Sequence, residues 1–231
     1  MAKGLQTRYG LPLVGVDNIW EIIQSSGIAN WKTVTSPVAV EDYPEVNLTN
    51  QEIEIKRKFQ MEVSKFLSPS GKVFKGFRFI GGNGTRVLTL LDREFIPICA
   101  EFQHGCGEVL FDLPGGSLDT GEDPADCAKR EFKEETGIIL KNVISLGPAG
   151  MPIAARRISS RNFSFIGIVS NPVVLERQKL DADEHLKVVL ISLDDWLKLI
   201  DREIVQSYSA STTLLALRRL QGMGVLKRNY A

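Results

Sequence analysis

The order of patterns in this 231-residue chain predicts an α+β fold. A mixed sheet would lie between helices as an α/β/α sandwich, preceded by an N-terminal β-hairpin extension. Three observations predict it. Apolar and alternating runs of strand length fill much of residues 52–113 and return after 140. One well-signalled helix interrupts them at 123–137. Helical patterns close the chain beyond Ser192.

Residues 1–15 show no clear period and are expected to be partly disordered. Asp17 to Ser26 reads as a short helix, with Asp17 as cap and Gly27 as stop. Thr33 to Val40 favours β structure, at a sheet edge because of Pro37. Glu52 to Phe66 and Val73 to Ile80 alternate around the turn Ser68-Pro-Ser-Gly71, which is a hairpin pattern. Gly81-Gly-Asn-Gly84 then breaks the chain, so residues 1–80 are expected to form the extension and 81–231 the main domain. Arg86 to Leu91 and Phe95 to Phe102 read as strands buried on both faces. Glu108 to Leu113 is a strand that delivers the chain into Pro114-Gly115-Gly116, where glycines let the backbone approach a metal or phosphate.

Asn142 to Leu146, Asn162 to Ser170 and Leu186 to Ile191 are further strands. Between the first two lies AARRISSR, residues 154–161, a loop with three arginines. Ser192 followed by Asp195 resembles a capping box for a helix running through Ile200. Ser209 or Ser211 is expected to cap a last helix that carries Leu214, Leu215, Leu217 and Leu220 and stops at Gly222.

Composition excludes several roles. Formal net charge is zero, so no broad electrostatic footprint for nucleic acid or an anionic membrane is expected; local basic clusters suit a small anionic substrate better. Three cysteines, Cys99, Cys106 and Cys127, form no CxxC pair, and with only two histidines a zinc site is not expected. Reduced thiols, no apolar signal core and no long apolar run point to a cytoplasmic protein without a membrane span.

The chemistry concentrates in LPGGSLDTGEDPADCAKREFKEETGI, from Leu113 to Ile138. Asp123 can cap a helix, Pro124 suits its first position and Gly137 its end. On that helix Glu131 and Glu134 are i,i+3 and Glu131 and Glu135 are i,i+4, so three carboxylates crowd one region. Taken alone, the segment reads as a solvated face in which Lys129, Arg130 and Lys133 neutralise the glutamates. A hard divalent cation would equally offset the repulsion, because Mg²⁺ prefers a few carboxylates plus substrate phosphates.

The segment is not isolated. Gly116 is followed after five residues by Glu122, and after seven more by Arg130-Glu131-Phe132, any residue, Glu134-Glu135, any residue, Gly137-Ile138. This resembles the complete Nudix box, and every fixed position matches. Average residue usage makes a chance match about one in ten million for a chain this long.

The resemblance implies a Mg²⁺- or Mn²⁺-dependent hydrolase acting on a nucleoside diphosphate linked to another group. Carried over residue by residue, Glu131, Glu134 and Glu135 supply metal ligands, with the carbonyl of Gly115 as a further one. Arg130 orients the glutamates, and Glu122 supports the loop or an outer metal. The Phe111-Asp-Leu-Pro-Gly-Gly116 run, the N-terminal hairpin, Pro152 and an acidic loop at Leu180–Leu186, LDADEHL, resemble the ADP-ribose and nucleotide-sugar pyrophosphatase group. In that group an acidic loop supplies a base or extra ligand, for which Glu184 is the candidate and His185 the neighbour. The hairpin commonly builds a swapped homodimer.

One position departs from the group. Where its strand before the box often ends in an arginine that contacts the diphosphate, Gln103 stands here, with hydrogen-bonding capacity but no charge. Arg156, Arg157 or Arg161 could substitute. Trp20 and Trp31 read as core residues or as platforms for a base. A dinucleotide, a nucleotide cofactor or a nucleoside triphosphate remains an alternative substrate, and a non-catalytic nucleotide-binding module an alternative class.

Overall fold

A computed structural model of the chain describes residues 2–30, 60–180, 185–226 and 230. In order it contains α1 (Ala2–Tyr9), α2 (Ile19–Ser25), a 3-10 turn at Ile28–Asn30, β1 (Gln60–Leu67), β2 (Val73–Ile80), β3 (Gly84–Thr89), β4 (Phe95–Gln103) and β5 (Glu108–Asp112). Then come α3 (Pro124–Thr136), β6 (Leu140–Ser145), β7 (Met151–Pro152), β8 (Arg161–Val169), β9 (Leu186–Ser192), α4 (Leu193–Asp201) and α5 (Ser207–Gly222). The expected strand at 33–40, Trp31, the first part of the 52–66 run and Glu184 lie outside the described residues.

Apart from the β1–β2 hairpin, the strands form a mixed sheet and an antiparallel one between the helices. β3 runs parallel to β8, while β6 and β7 pair with β8 antiparallel. β5, β4 and β9 form the antiparallel sheet. Two apolar clusters glue helices to these strands. One joins Leu88, Ile98, Phe111 and Val189 to Ile19 and Ile23 of α2, Trp196 of α4 and Leu217 of α5. The other joins Val87, Leu91, Phe165 and Leu190 to Phe132 of α3 and Tyr9 of α1. Among the described residues no helix is long and apolar enough to cross a membrane.

Two expectations are corrected. The N-terminal residues are ordered: Leu5 and Tyr9, one helical turn apart, are 7% and 1% exposed, and residues 12–14 run beside β9 through Val14 N–H to Leu190 O at 2.9 Å. Burial against the sheet, not local periodicity, makes so short a helix. The last helix starts at Ser207, before both expected caps. The hydroxyl of Ser209 goes to Asp112 and that of Ser211 to the Tyr208 carbonyl, so neither caps.

The expected hairpin is present, with Val63 opposite Phe77 and Leu67 opposite Val73. Alternation puts these four on one face with Phe79, and their exposure runs from 47% to 73%. Its far end is fastened to the arginine loop: Phe79 N–H donates to Arg157 O at 2.7 Å, and Ser159 N–H donates to Phe79 O at 3.0 Å.

Candidate active site

Local signals place the acidic helix. The Asp123 carboxylate accepts from Ala125 N–H at 2.8 Å, Pro124 opens α3, and Gly137 ends it in the left-handed region. Ala128 and Phe132 are fully buried beneath it. The opposite side of the helix then faces the Pro114-Gly115-Gly116 turn. Glu131 and Glu135 are buried there at 8% and 7% exposure.

The turn is pinned to β3 by Thr85 N–H to Gly116 O and Val87 N–H to Pro114 O, both 2.9 Å. Neither glycine has room for a side chain. Gly115 sits at φ 144°, and a Cβ there would stand 2.2 Å from Thr85 O. A Cβ on Gly116 would stand 2.4 Å from the carboxyl carbon of Glu131. The closeness has a product: Gly115 N–H donates to Glu135 Oε2 at 2.9 Å.

Arg130 gathers the carboxylates. Its Nε and Nη2 donate to Glu122 at 2.9 Å each, and Nη1 donates to Glu131 at 2.8 Å and Glu134 at 3.2 Å. The guanidinium holds the Glu122 carboxyl down to about 2 from its usual 4.5. Glu135 is pushed the other way. Burial raises its carboxyl well above the usual range, and Asp112 and Glu131 add to this against the pull of Arg86 and the Gly115 amide.

The donor set fits a hard divalent cation. Carboxylates of Glu131, Glu134 and Glu135 and the carbonyl of Gly115 are oxygen ligands of the type Mg²⁺ takes, and the mutual repulsion around Glu135 is the charge such an ion relieves. Among the described residues no three acidic, histidine or cysteine side chains stand together as a ready-made cage; Glu131 and Glu134 are each paired with Arg130.

A second arginine escaped the sequence reading. Arg86 of β3 donates to Asp112 Oδ2 from Nε and Nη2, at 2.9 and 2.7 Å, and to the carbonyls of Thr85 and Gly115 from Nη1, both at 2.7 Å. Its guanidinium carbon lies 4.6 Å from the ring centre of Tyr208 on α5. Burial disfavours its charge, but Asp112 outweighs that and the guanidinium stays firmly protonated. Arg86, Gly116, Ser117, Asn83, Asn162 and Tyr208 line a cavity of about 160 Å³ beside the turn. The available signal was the lone charge in the mostly buried strand GTRVLT.

The remaining candidates are dispersed. The side chain of Gln103 donates to Glu101 at 2.8 Å, and the Gln103 backbone carbonyl accepts from the Cys106 and Gly107 N–H groups in the following turn. Arg156 and Arg157 are exposed on the loop fastened to β2. Arg161 binds the carbonyls of Ala149 and Gly150, which makes it a loop brace. Trp20 packs edge-on against Phe111 with ring centres 5.4 Å apart. Glu184 is outside the described residues, but the chain leading to it is strapped to α3: Glu176 N–H donates to Gly137 O at 2.8 Å and Lys179 N–H to Glu134 O at 2.9 Å.

Comparison with known proteins bears on the family and the fold. A family model described as NUDIX domain matches residues 80–208. An ADP-ribose pyrophosphatase of Bacillus subtilis (strain 168) is 25% identical over 172 residues, covering 72% of this chain and 89% of that protein. A methanol dehydrogenase activator of Bacillus methanolicus is 23% identical over 195 residues, covering 80% of this chain and 97% of that one. A crystal structure titled ADP compounds hydrolase superposes with a TM-score of 0.63 at 20% identity, over 74% of this chain and 90% of its own, and so shares the fold.

Proposed function

Because this chain belongs to the Nudix hydrolase family, we propose that it cleaves the pyrophosphate bond of a nucleoside diphosphate linked to another moiety. ADP-ribose or a nucleotide sugar is the substrate this reading favours, giving a nucleoside monophosphate and a sugar phosphate. One observation carries it: Glu131 and Glu135 of the box lie against a glycine turn whose backbone already binds Glu135, while Arg130 ties Glu134 and Glu122 to the same cluster. The Bacillus subtilis relative supports the ADP-ribose choice.

In this reading Mg²⁺ or Mn²⁺ is held by Glu131, Glu134, Glu135 and the Gly115 carbonyl. The ion supplies neutralisation of pyrophosphate oxygens and a more acidic water. The chain's own groups do the rest. Arg130 keeps the carboxylates aligned and Glu122 anchors Arg130. Glu184 is the base that takes the proton, with His185 beside it; the strap from Glu176 to Lys179 starts the acidic loop next to Glu134. Arg156 and Arg157 supply positive charge for the diphosphate, a role Gln103 leaves open because its amide is turned to Glu101.

The protein works in the cytoplasm as a homodimer, with 81–231 as the hydrolase domain and 1–80 as an extension. An isolated two-stranded hairpin is marginal in water, and this one bares Val63, Leu67, Val73, Phe77 and Phe79, which a second copy would cover.

The deciding experiment incubates purified protein and Mg²⁺ or Mn²⁺ with ADP-ribose, nucleotide sugars, dinucleotides, nucleotide cofactors and nucleoside triphosphates. Products are identified by chromatography. Monophosphate release from ADP-ribose or a nucleotide sugar is expected, and release from none of the panel rejects the enzyme reading.

A further inference from the structure

A guanidinium inside a largely buried strand is costly unless its donors are met. Arg86 has five N–H donors, and the structure provides acceptors for all of them. Two point to Asp112 Oδ2, one to the Tyr208 hydroxyl at 3.2 Å, and two to the carbonyls of Thr85 and Gly115. Although Arg86 borders the cavity, a substrate phosphate could claim a donor only by displacing one of these partners. The residue is therefore built to hold protein, not ligand.

What it holds is the turn. Asp112 is itself fixed, because its Oδ1 accepts from Leu113 N–H at 2.9 Å and from the Ser209 hydroxyl. Ser209 also accepts from Leu113 N–H at 2.9 Å. Helix α5 thus reaches the turn twice, through Ser209 on Asp112 and Tyr208 on Arg86. The carbonyl that Arg86 grips belongs to the same residue whose N–H grips Glu135. Gly115 joins two peptide units, one carrying the N–H and the next the carbonyl, so a change in its φ and ψ would disturb the carbonyl and the carboxylate together.

We propose that Arg86 is a positioning residue for the hydrolysis, fixing the direction of the Gly115 carbonyl and, through that glycine, the Glu135 carboxylate, with α5 as the brace that holds Arg86 in place. The inference rests on the function proposed above. A plain structural ion pair is the competing account, and it makes a different claim: loss of Arg86 would lower stability and leave the folded enzyme's constants alone.

The test uses the full chain with Arg86→Lys and Tyr208→Phe. Lysine keeps the charge but is a point donor that cannot span Asp112 and two carbonyls in a fork. Three quantities are measured: kcat and KM, Mn²⁺ affinity without substrate by electron paramagnetic resonance, and hydrogen exchange at the Gly115 and Gly116 amides of the metal-free protein. For Arg86→Lys, kcat and Mn²⁺ affinity should each fall roughly 10- to 100-fold, the range for residues that orient metal ligands. KM should stay within about twofold, since no substrate contact is lost. Gly115 exchange should quicken. Tyr208→Phe should shift all three the same way by less.

A rise in KM alone would mean that Arg86 touches substrate, and a lowered melting temperature with unchanged kcat, Mn²⁺ affinity and exchange would mean a plain ion pair; either overturns the proposal. If the lysine variant does not fold, unchanged exchange and Mn²⁺ affinity in Tyr208→Phe overturns it. If the wild type hydrolyses nothing, the proposed function fails separately, and the exchange and Mn²⁺ measurements still decide the role of Arg86.

Discussion

Alanine at Gly115 and alanine at Gly116 are expected to fail in opposite ways. At Gly115 the new Cβ meets the Thr85 carbonyl at 2.2 Å, and φ 144° is a conformation that L side chains rarely adopt. The obstacle is backbone and cannot rotate away. Strained backbone costs about 1–3 kcal/mol. Relief requires giving up the Thr85–Gly116 and Val87–Pro114 bonds, about 1 kcal/mol each. Together the loss is about 3–5 kcal/mol, or a melting temperature lower by roughly 6–20 °C for a chain of this size.

At Gly116 the nearest atoms are the Glu131 carboxyl carbon at 2.4 Å and its oxygens at 2.5 Å. These are the end of a flexible side chain, so the carboxylate swings aside and stability falls by only about 1 kcal/mol, the typical single-substitution cost. Turnover should instead drop roughly 10- to 100-fold, as for a displaced metal ligand. Urea unfolding followed by tryptophan fluorescence gives the first quantity, and product release with Mg²⁺ gives the second. Equal destabilisation by the two substitutions, or full turnover by a folded Gly116→Ala, would refute the reasoning.

Other outcomes follow from the same geometry. Glu122 has a folded-state value of about 2 against its usual 4.5, so its pairing with Arg130 stabilises the protein above pH 4.5 and that stability is lost as pH falls toward 2. Arg130→Met should therefore flatten the acid limb of stability by about 1–2 kcal/mol after solvent screening; an unchanged urea midpoint profile contradicts this. Burial pushes the Cys127 thiol up to about 12 and Cys99 well above its usual value, whereas Cys106 is exposed. A thiol reagent near pH 8 should find one fast-reacting cysteine, and three would show that the core opens. Phe77→Glu puts a charge on the bare hairpin face and should convert a dimer to monomer in light scattering, with little loss of melting temperature; an unchanged mass places the dimer contact elsewhere.

The sequence made the acidic helix legible because its signals are local. Asp123, Pro124 and Gly137 act within one turn of their own positions, and the glutamate spacing fixes which face they share. The strands were legible because continuous apolar runs such as 95–100 have only one way to be buried. Arg86 was not, because its partners Asp112, Gly115 and Tyr208 lie 26, 29 and 122 residues away. The start of α5 was misplaced for a related reason: Ser209 looks like a cap, yet its hydroxyl is recruited by Asp112 from 97 residues away. Helix α1 escaped because Leu5 and Tyr9, its only large apolar residues, make no period, and the sheet beneath them supplies the reason to fold.

The seam between Phe79 and residues 157–159 has a consequence for how activity scales. The loop carrying Arg156 and Arg157 takes its bearings from the hairpin through two backbone bonds. Whatever grips the hairpin's bare face also aims those two cations. If the gripping surface is another copy of the chain, specific activity should decline on dilution before any unfolding is visible, and each molecule's rate would depend on the company it keeps.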